Sequence, residues 1–236
     1  MIPLRTRQLW HFCGYPIAAL AGLALCSLRV YGRRHIPWHG PVLIVANHQS
    51  FIDPFLVGVM VGRRLSYLAR KTLYRSKLLA YFMPRLGAVA LDQEGPATAG
   101  IKAALQLLQA GEAVVIFPEG ERTHDGRLQP FMPGVALLVR KAQVPVLPIG
   151  LAGAYQTLPR HRRYPWLCSL GFDATTAAIA GVIGPIIPAA TLTAMRPADM
   201  TDYLRDRVAD LVAEAERRRR RPEAGGHLPA PRPFSG

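Results

Sequence analysis

A histidine and an aspartate that follow an apolar run are the first candidates for chemistry in this sequence. Residues 42–46 are all apolar, which is typical of a buried strand. The run ends at Asn47 and His48, and Asp53 follows the histidine by five residues. A carboxylate bonded to one imidazole nitrogen leaves the other nitrogen to accept a proton, so we predict that His48 is a general base oriented by Asp53. The alternative is a loop histidine beside a helix-capping Asp53, with Pro54 at the first helical position, and the capping and orienting roles of Asp53 can coexist.

A second loop, FPEGERTHDG at residues 117–126, concentrates charge directly after another apolar run. Gly120 lets the backbone approach a ligand closely, and Arg122 can bind a phosphate through two parallel hydrogen bonds. Glu119 is expected to accept a substrate hydroxyl or to hold Arg122 in place. A solvated turn is the alternative interpretation of this segment.

Short β-type runs alternate with helical patterns along the chain, which indicates an α/β architecture. The predicted strands lie at residues 41–46, 65–69, 87–92, 113–117 and 144–152. Helices are predicted at residues 73–83, at residues 98–111 with Gly111 at the end, and from Asp199 or Thr201 into the arginines that start at residue 217. Ligands of such sheets bind beyond the ends of the strands, so the two polar loops are expected to form one site.

The basic character of the chain is concentrated at its two ends. Of a formal charge of +14, residues 1–34 carry five arginines and no acid, and residues 217–236 carry six arginines and one acid. Residues 10–28 are mostly apolar and flanked by arginines, so they are predicted to span a membrane or to lie in its interface. A cleaved signal peptide is a further alternative. We therefore predict a membrane-anchoring segment at residues 1–34, a main domain at residues 35–216 and a disordered basic tail at residues 217–236.

Cysteine usage and the distribution of charge argue against several classes of protein. Cys13, Cys26 and Cys168 are scattered, which is neither a disulfide framework nor a metal-binding spacing. We therefore expect no metal ion. We also expect catalysis on the reducing, cytoplasmic side of the membrane, because the arginines that flank the apolar segment favour that side. The basic ends lack interleaved aromatic residues, which argues against nucleic acid as a partner. A hydrolase with Ser50 as nucleophile is disfavoured because no GxSxG motif surrounds that serine.

Three motifs together resemble those of the glycerolipid acyltransferases. NHQSFID at residues 47–53 is similar to the family's Asn-His-x4-Asp motif, and FPEGERT at residues 117–123 is similar to its Phe-Pro-Glu-Gly-x-Arg-Ser/Thr motif. VPVLPIG at residues 144–150 resembles the family's Val-Pro-x-x-Pro-Val segment. The resemblance covers residues 30–185 and points to the 1-acyl-glycerol-3-phosphate acyltransferases. It implies an α/β fold like that of glycerol-3-phosphate acyltransferase, with a mixed sheet flanked by helices and an N-terminal membrane-associated helical segment.

The resemblance also implies a reaction. A fatty acyl group would pass from an acyl thioester, either acyl-CoA or acyl-carrier protein, to the free hydroxyl of the lysophospholipid 1-acyl-glycerol-3-phosphate, giving phosphatidic acid. No cofactor is expected, the partners are membrane lipids and the two substrates, and the expected location is the cytoplasmic face of the inner membrane. The implied catalytic residues are His48 and Asp53, and the implied substrate-binding residues are Asn47, Lys71, Gln93, Glu119, Gly120, Arg122 and Thr123.

One motif departs from the family pattern. The segment GAVALDQE at residues 87–94 has Gln93 where an arginine is common, and glutamine supplies hydrogen bonds but no charge. Arg70, Lys71 and Arg122 are expected to compensate by binding the phosphate. The alternative acceptor is another lysolipid, either of the ornithine type or a lysophospholipid in remodelling, and a lipid hydrolase is the more distant alternative.

Overall fold

One sheet of seven strands is present in the part of the chain that this computed structural model describes, which is residues 28–71, 74, 80–81, 87–91, 98–158 and 179–219. In chain order the strands are β1 (Arg29–Tyr31), β2 (Val42–Ala46), β3 (Ser66–Arg70), β4 (Ala88–Leu91), β5 (Ala113–Ile116), β6 (Val146–Ala152) and β7 (Ala180–Ile183). The α-helices within the same residues are α1 (Asp53–Val61), α2 (Thr98–Gln109), α3 (Gly134–Ala142), α4 (Ala154–Thr157), α5 (Ala189–Thr193) and α6 (Pro197–Arg219). Gln93, the apolar segment up to residue 27 and most of the helix predicted at residues 73–83 lie outside the described residues.

The sheet is mixed, and its spatial order is β1, β7, β6, β2, β5, β3, β4. Strand β2 is central and runs parallel to both neighbours, with Leu43 aligned to Val114 on β5 and to Val146 on β6. Strands β3 and β4 continue the parallel part, whereas β7 is antiparallel to β6. The predicted mixed α/β sheet flanked by helices is therefore confirmed. Because parallel strands end at one edge of a sheet, the segments that follow β2, β3, β5 and β6 lie along the same edge.

The sequence of β2 explains its central position. All five residues are apolar and buried, as expected for a parallel strand that is covered on both faces. Val42, Ile44 and Ala46 pack with α1, and Leu43 and Val45 pack with α2, α3 and α6. Alternate residues of a strand point to opposite faces, so the two clusters lie on the two sides of the sheet. Burial contributes ~1.5–3 kcal/mol for each large aliphatic side chain, which fixes the point where β2 ends and the polar loop begins.

Two predicted helices lie fully within the described residues. Helix α2 ends at Gln109, and Gly111 follows with a φ of 82° while its N–H donates to the Leu108 carbonyl. This left-handed glycine ends the helix, as the sequence predicted. Helix α6 begins at Pro197, earlier than predicted, and continues to Arg219. Among the described residues, no helix combines the length and the hydropathy that a membrane crossing requires.

Five of the strands and α-helices named above were not predicted from the sequence: strands β1 and β7 and helices α3, α4 and α5. Strand β1 pairs in parallel with β7 through Arg29 and Ala180, so the sheet begins before residue 34, where the anchoring segment was predicted to end. At the other end, α6 passes residue 216, the predicted boundary of the main domain.

Candidate active site

The loop that follows β2, residues 47–53, is named the histidine loop here, and its first residue is tied to strand β6. Asn47 Nδ2 donates to the Leu151 carbonyl at 2.9 Å, and the Leu151 N–H donates to Asn47 Oδ1 at 2.7 Å. Asn47 is only 1 % exposed. The side chain therefore extends the pairing of β2 with β6 by one residue and sets the direction of the loop. The family resemblance implied that Asn47 contacts a substrate. The Asn47 side chain is buried, however, and both of its polar atoms are already hydrogen-bonded to the main chain of Leu151.

The contact that the spacing predicted between His48 and Asp53 is present in the structure. His48 Nδ1 lies 2.9 Å from Asp53 Oδ2, and the same oxygen accepts the N–H groups of Gln49 and Ser50, each at 2.6 Å. Helix α1 begins at Asp53 with Pro54 in its first turn, but it has no side-chain cap. The capping role of Asp53 is therefore wrong, because its carboxylate turns back into the histidine loop, and the orienting role is the one that the geometry retains.

The surroundings of the pair favour an oriented base. Burial raises the pKa of the Asp53 carboxyl, while the His48 ring and the two backbone N–H groups favour its charged form. Asp53 is fully buried, whereas the His48 side chain keeps 18 % of its surface exposed. The Phe117 ring stacks on the imidazole, with ring centroids 4.2 Å apart and planes 20° apart, which restricts ring rotation. When Nδ1 donates to Asp53, Nε2 is the nitrogen that can accept a proton.

The loop that follows β5, residues 117–129, is named the glutamate loop here because Glu119 joins it to the histidine loop. Glu119 Oε1 accepts the His48 N–H at 2.5 Å, and Oε2 accepts the Gln129 N–H at 2.8 Å. Glu119 is 8 % exposed, and this burial raises its pKa to about 7 although both N–H groups favour the charged form. The sequence suggested a substrate hydroxyl or Arg122 as the partner of Glu119. Its observed partners are main-chain N–H groups instead.

Further hydrogen bonds join the two loops. The Thr123 N–H donates to the His48 carbonyl at 2.9 Å, and Gln49 Nε2 donates to the Gly126 carbonyl at 3.2 Å. The Thr123 hydroxyl donates to Asp125 Oδ1 at 2.8 Å and accepts the Gly126 N–H, so it organises the loop from a side chain that is 1 % exposed. Gln49 was not identified from the sequence as a residue that joins the two loops. Its only distinguishing feature in the sequence is its position between His48 and Asp53.

The remaining predicted binding residues that the structure describes lie along the same edge. Gly120 has a φ of 79°, in the left-handed region that favours glycine, and a Cβ there would lie 2.6 Å from Met132 Sδ. Arg122 is half-buried in the glutamate loop, and Lys71 is exposed directly after β3. Gln93 lies outside the described residues, so its predicted role stays a prediction. Within the described ranges no cluster of three histidine, cysteine or acidic side chains is placed to hold a metal ion.

Comparison with known proteins gives a consistent family signal. A family model described as Acyltransferase matches residues 27–152, more than half of the chain, including both loops. The 1-acyl-sn-glycerol-3-phosphate acyltransferase of Bacillus subtilis is 27 % identical over 146 residues, covering 61 % of this chain and 72 % of that protein. The alpha enzyme of the same name from Homo sapiens is 34 % identical over 134 residues, covering 55 % and 46 %. The chloroplastic enzyme BAT2 of Brassica napus is 29 % identical over 156 residues, covering 65 % and 45 %. The matched region thus spans less than half of the plant and human proteins.

A solved structure has the same fold. The crystal structure of the 1-acyl-sn-glycerophosphate (LPA) acyltransferase PlsC from Thermotoga maritima superimposes with a TM-score of 0.71. The superposition covers 91 % of this chain and 83 % of that chain, at 21 % sequence identity. At this level of identity the likeness is one of architecture, and it agrees with the mixed sheet described above.

Proposed function

Because this chain belongs to the acyltransferase family, we propose that it transfers a fatty acyl group from an acyl thioester to the free hydroxyl of 1-acyl-sn-glycerol-3-phosphate. The products are phosphatidic acid and a free thiol. The observation that carries the proposal is the 2.9 Å contact between His48 Nδ1 and Asp53 Oδ2 at the edge where the two loops meet. The names of the Brassica napus, Bacillus subtilis and Homo sapiens relatives support the choice of acceptor.

His48 is the base in the proposed mechanism. Its Nε2 accepts the proton of the acceptor hydroxyl while that oxygen attacks the carbonyl carbon of the thioester. The tetrahedral intermediate then breaks its C–S bond, and His48 returns the proton to the leaving thiolate. Asp53, bonded to Nδ1, keeps the ring oriented and stabilises the imidazolium that forms between the two steps. A base positioned in this way contributes ~10²–10⁴-fold to the rate.

The acceptor phosphate is proposed to bind to basic side chains along the same edge of the sheet. Arg122 offers a planar fork that can make two parallel hydrogen bonds to a phosphate, and Gly120 allows the backbone to approach it closely. Lys71 follows β3, the strand next to β5, and would supply a second positive charge. Gln93 would contribute hydrogen bonds without charge.

The acyl donor and the location of the protein are also proposed. The donor is acyl-CoA or acyl-carrier protein, and the chemistry needs no further cofactor, because the thioester is already activated for attack. The apolar segment within residues 1–34 is proposed to hold the protein at the cytoplasmic face of the inner membrane, where acyl chains of the substrates reside. Arginines at both ends of the chain would add attraction to anionic lipids.

The test is a transfer assay with defined substrates. Membranes that contain the full-length protein are incubated with a labelled acyl thioester and a panel of lysolipids, and the labelled products are separated. The proposal expects 1-acyl-sn-glycerol-3-phosphate to be acylated fastest, and it expects His48→Ala to lower the transfer by ~10²–10⁴-fold. His39→Ala is the matched control, because His39 is exposed and lies outside both loops.

Another lysolipid is the second candidate acceptor, and Gln93 is the observation that favours it. The neutral glutamine stands where related enzymes commonly have an arginine, which removes one positive charge from the proposed phosphate site. Faster acylation of an ornithine-type lysolipid, or of a lysophospholipid without a phosphomonoester, would replace the proposed acceptor. Absence of transfer to every lysolipid, with the thioester hydrolysed instead, would indicate a hydrolase.

A further inference from the structure

We propose that Glu119 is a positioning residue for the catalytic histidine, and that its carboxylate holds the main chain of His48 against that of Gln129, the last residue of the glutamate loop. The bond from the His48 N–H to Oε1 is 2.5 Å long, and the bond from the Gln129 N–H to Oε2 is 2.8 Å long. The inference rests on the proposed role of His48 as base. It gives Glu119 a role different from the substrate contact that the family resemblance implied.

Both main-chain polar groups of His48 are held by the glutamate loop. Its N–H donates to Glu119, and its carbonyl accepts the Thr123 N–H at 2.9 Å. The same loop supplies Phe117, whose ring stacks on the imidazole. Asp53, which is bonded to Nδ1, then fixes the direction in which the ring nitrogens point. The position of the base is thus determined by the loop that follows β5 as much as by its own loop.

The charge of Glu119 matters for these two hydrogen bonds. An ionised carboxylate accepts hydrogen bonds at both oxygens, whereas a protonated one turns one oxygen into a donor that faces an N–H group. Burial raises the pKa of Glu119 to about 7, so its charge changes within the physiological range. Other charged groups influence this change: Asp53 disfavours ionisation and Arg205 of α6 favours it. The other charged or titratable groups of the two loops are His48, Glu121, Arg122, His124, Asp125 and Arg127.

The first test follows the two N–H groups directly, in the full-length protein held in detergent micelles. The backbone amide protons of His48 and Gln129 are recorded by NMR as the pH is raised from 5 to 9, a range of about two pH units on either side of 7. An amide proton that donates to a carboxylate moves downfield when that carboxylate ionises. The proposal expects both protons to move together with one midpoint near 7, and expects neither to show that transition in Glu119→Gln. Glu112→Gln is the matched control, because Glu112 pairs with Arg64 and Ser66 away from both loops.

The second test separates positioning from substrate binding. Because a misplaced base slows the chemical step, Glu119→Gln is expected to lower kcat by ~10- to 10²-fold while the KM of either substrate changes little. Glu112→Gln is expected to keep the wild-type kcat. A raised acceptor KM with an unchanged kcat in Glu119→Gln would overturn the proposal in favour of a substrate contact.

The wild-type titration decides the proposal even if Glu119→Gln does not fold. Amide protons of His48 and Gln129 that titrate with different midpoints, that show no titration in the wild type, or that respond to no ionisation removed by Glu119→Gln, would overturn it. The titration needs no substrate, so its result is independent of the acyl transfer assay. Coupled titration in a protein that acylates no lysolipid would contradict the proposed function alone and would support the bonds made by Glu119.

Discussion

The histidine loop and the glutamate loop meet at one edge of the sheet, but they expose their polar side chains to very different degrees. In the histidine loop Asn47, Ser50 and Asp53 are buried, and each is hydrogen-bonded within the fold. The glutamate loop buries Glu119 and Thr123. Its exposed polar residues include Glu121, His124, Asp125 and Arg127. The comparison divides the edge into a fixed part, which holds the base, and a solvent-facing part, which can meet a charged substrate.

This division predicts different consequences for substitutions in the two parts. A change in the fixed part moves or removes the base, so it lowers turnover while substrate affinity is retained. A change in the solvent-facing part removes a charged contact, so it raises the KM of the charged acceptor instead. Substitutions that produced the same kinetic change in the fixed part and in the solvent-facing part would contradict the division.

Replacement of the base is expected to have the largest effect. His48→Ala removes the proton acceptor, so acyl transfer is expected to fall by ~10²–10⁴-fold. The side chain is partly exposed and contributes little to the core, so thermal unfolding is expected to stay close to that of the wild type. The assay is turnover of a labelled thioester, with His39→Ala as the control. Near-normal turnover in His48→Ala would remove the mechanism.

Neutralising the orienting carboxylate is expected to have the next largest effect. Asp53→Asn keeps the shape but removes the charge that stabilises the imidazolium, and it allows the wrong tautomer of His48. We expect turnover to fall by ~10²-fold or more while binding of the acyl thioester is nearly unchanged. Turnover and donor binding are measured on the same preparation. A loss of donor binding without a loss of turnover would show that Asp53 acts on the donor site.

Arg122 sharpens the comparison from the solvent-facing side. Arg122→Lys keeps the charge but loses the planar fork, so the acceptor KM is expected to rise by ~10-fold while the donor KM is unchanged. Arg127→Lys, an exposed arginine in the same loop, is the matched control and is expected to leave both KM values unchanged. Equal acceptor titrations for Arg122→Lys and the wild type would mean that Arg122 does not bind the phosphate.

The last prediction concerns stability rather than rate. The pKa of Glu119 is raised from 4.5 to about 7 in the folded protein, so between these values the folded state holds a proton that the unfolded state has lost. The free energy of unfolding is therefore expected to fall as the pH rises through this window, by at most ~1.4 kcal/mol per pH unit. The side chain at position 119 of Glu119→Gln does not titrate, so the wild type should lose stability relative to the variant as the pH rises. A constant difference from pH 4.5 to 7 in denaturant titrations would contradict the raised pKa.

Elements with strong periodic or apolar signals could be predicted from the sequence. Strand β2 is a continuous apolar run that ends at Asn47, and helix α2 repeats apolar residues at helical spacing up to a glycine. Strand β7 is four residues long and includes Ala180 and Gly181, which have low strand propensity, so its pairing depends on the neighbouring strands. Helix α3 starts at Gly134 without a side-chain cap, and therefore lacked the usual start signal.

The candidate site was predictable only where side chains pair with side chains. The contact between His48 and Asp53 follows from their types and spacing in a short loop. The bonds of Asn47 and Glu119 go to main-chain groups of distant segments, and every residue except proline carries such groups. The residue type of the distant partner therefore gives no indication of these contacts in the sequence. Gln129 was missed for this reason, because its bond to Glu119 is made by a backbone N–H.

The most direct test of the account is the protonation state of the two His48 ring nitrogens. The nitrogen-15 chemical shifts of Nδ1 and Nε2 are measured at a pH where the ring is neutral, in the wild type and in Asp53→Asn. The account predicts a proton on Nδ1, donated to Asp53 Oδ2 2.9 Å away, and an unprotonated Nε2 that can accept the substrate proton. In Asp53→Asn this preference should be lost. A neutral wild-type ring with its proton on Nε2 would contradict the account, because that nitrogen could not then act as the base.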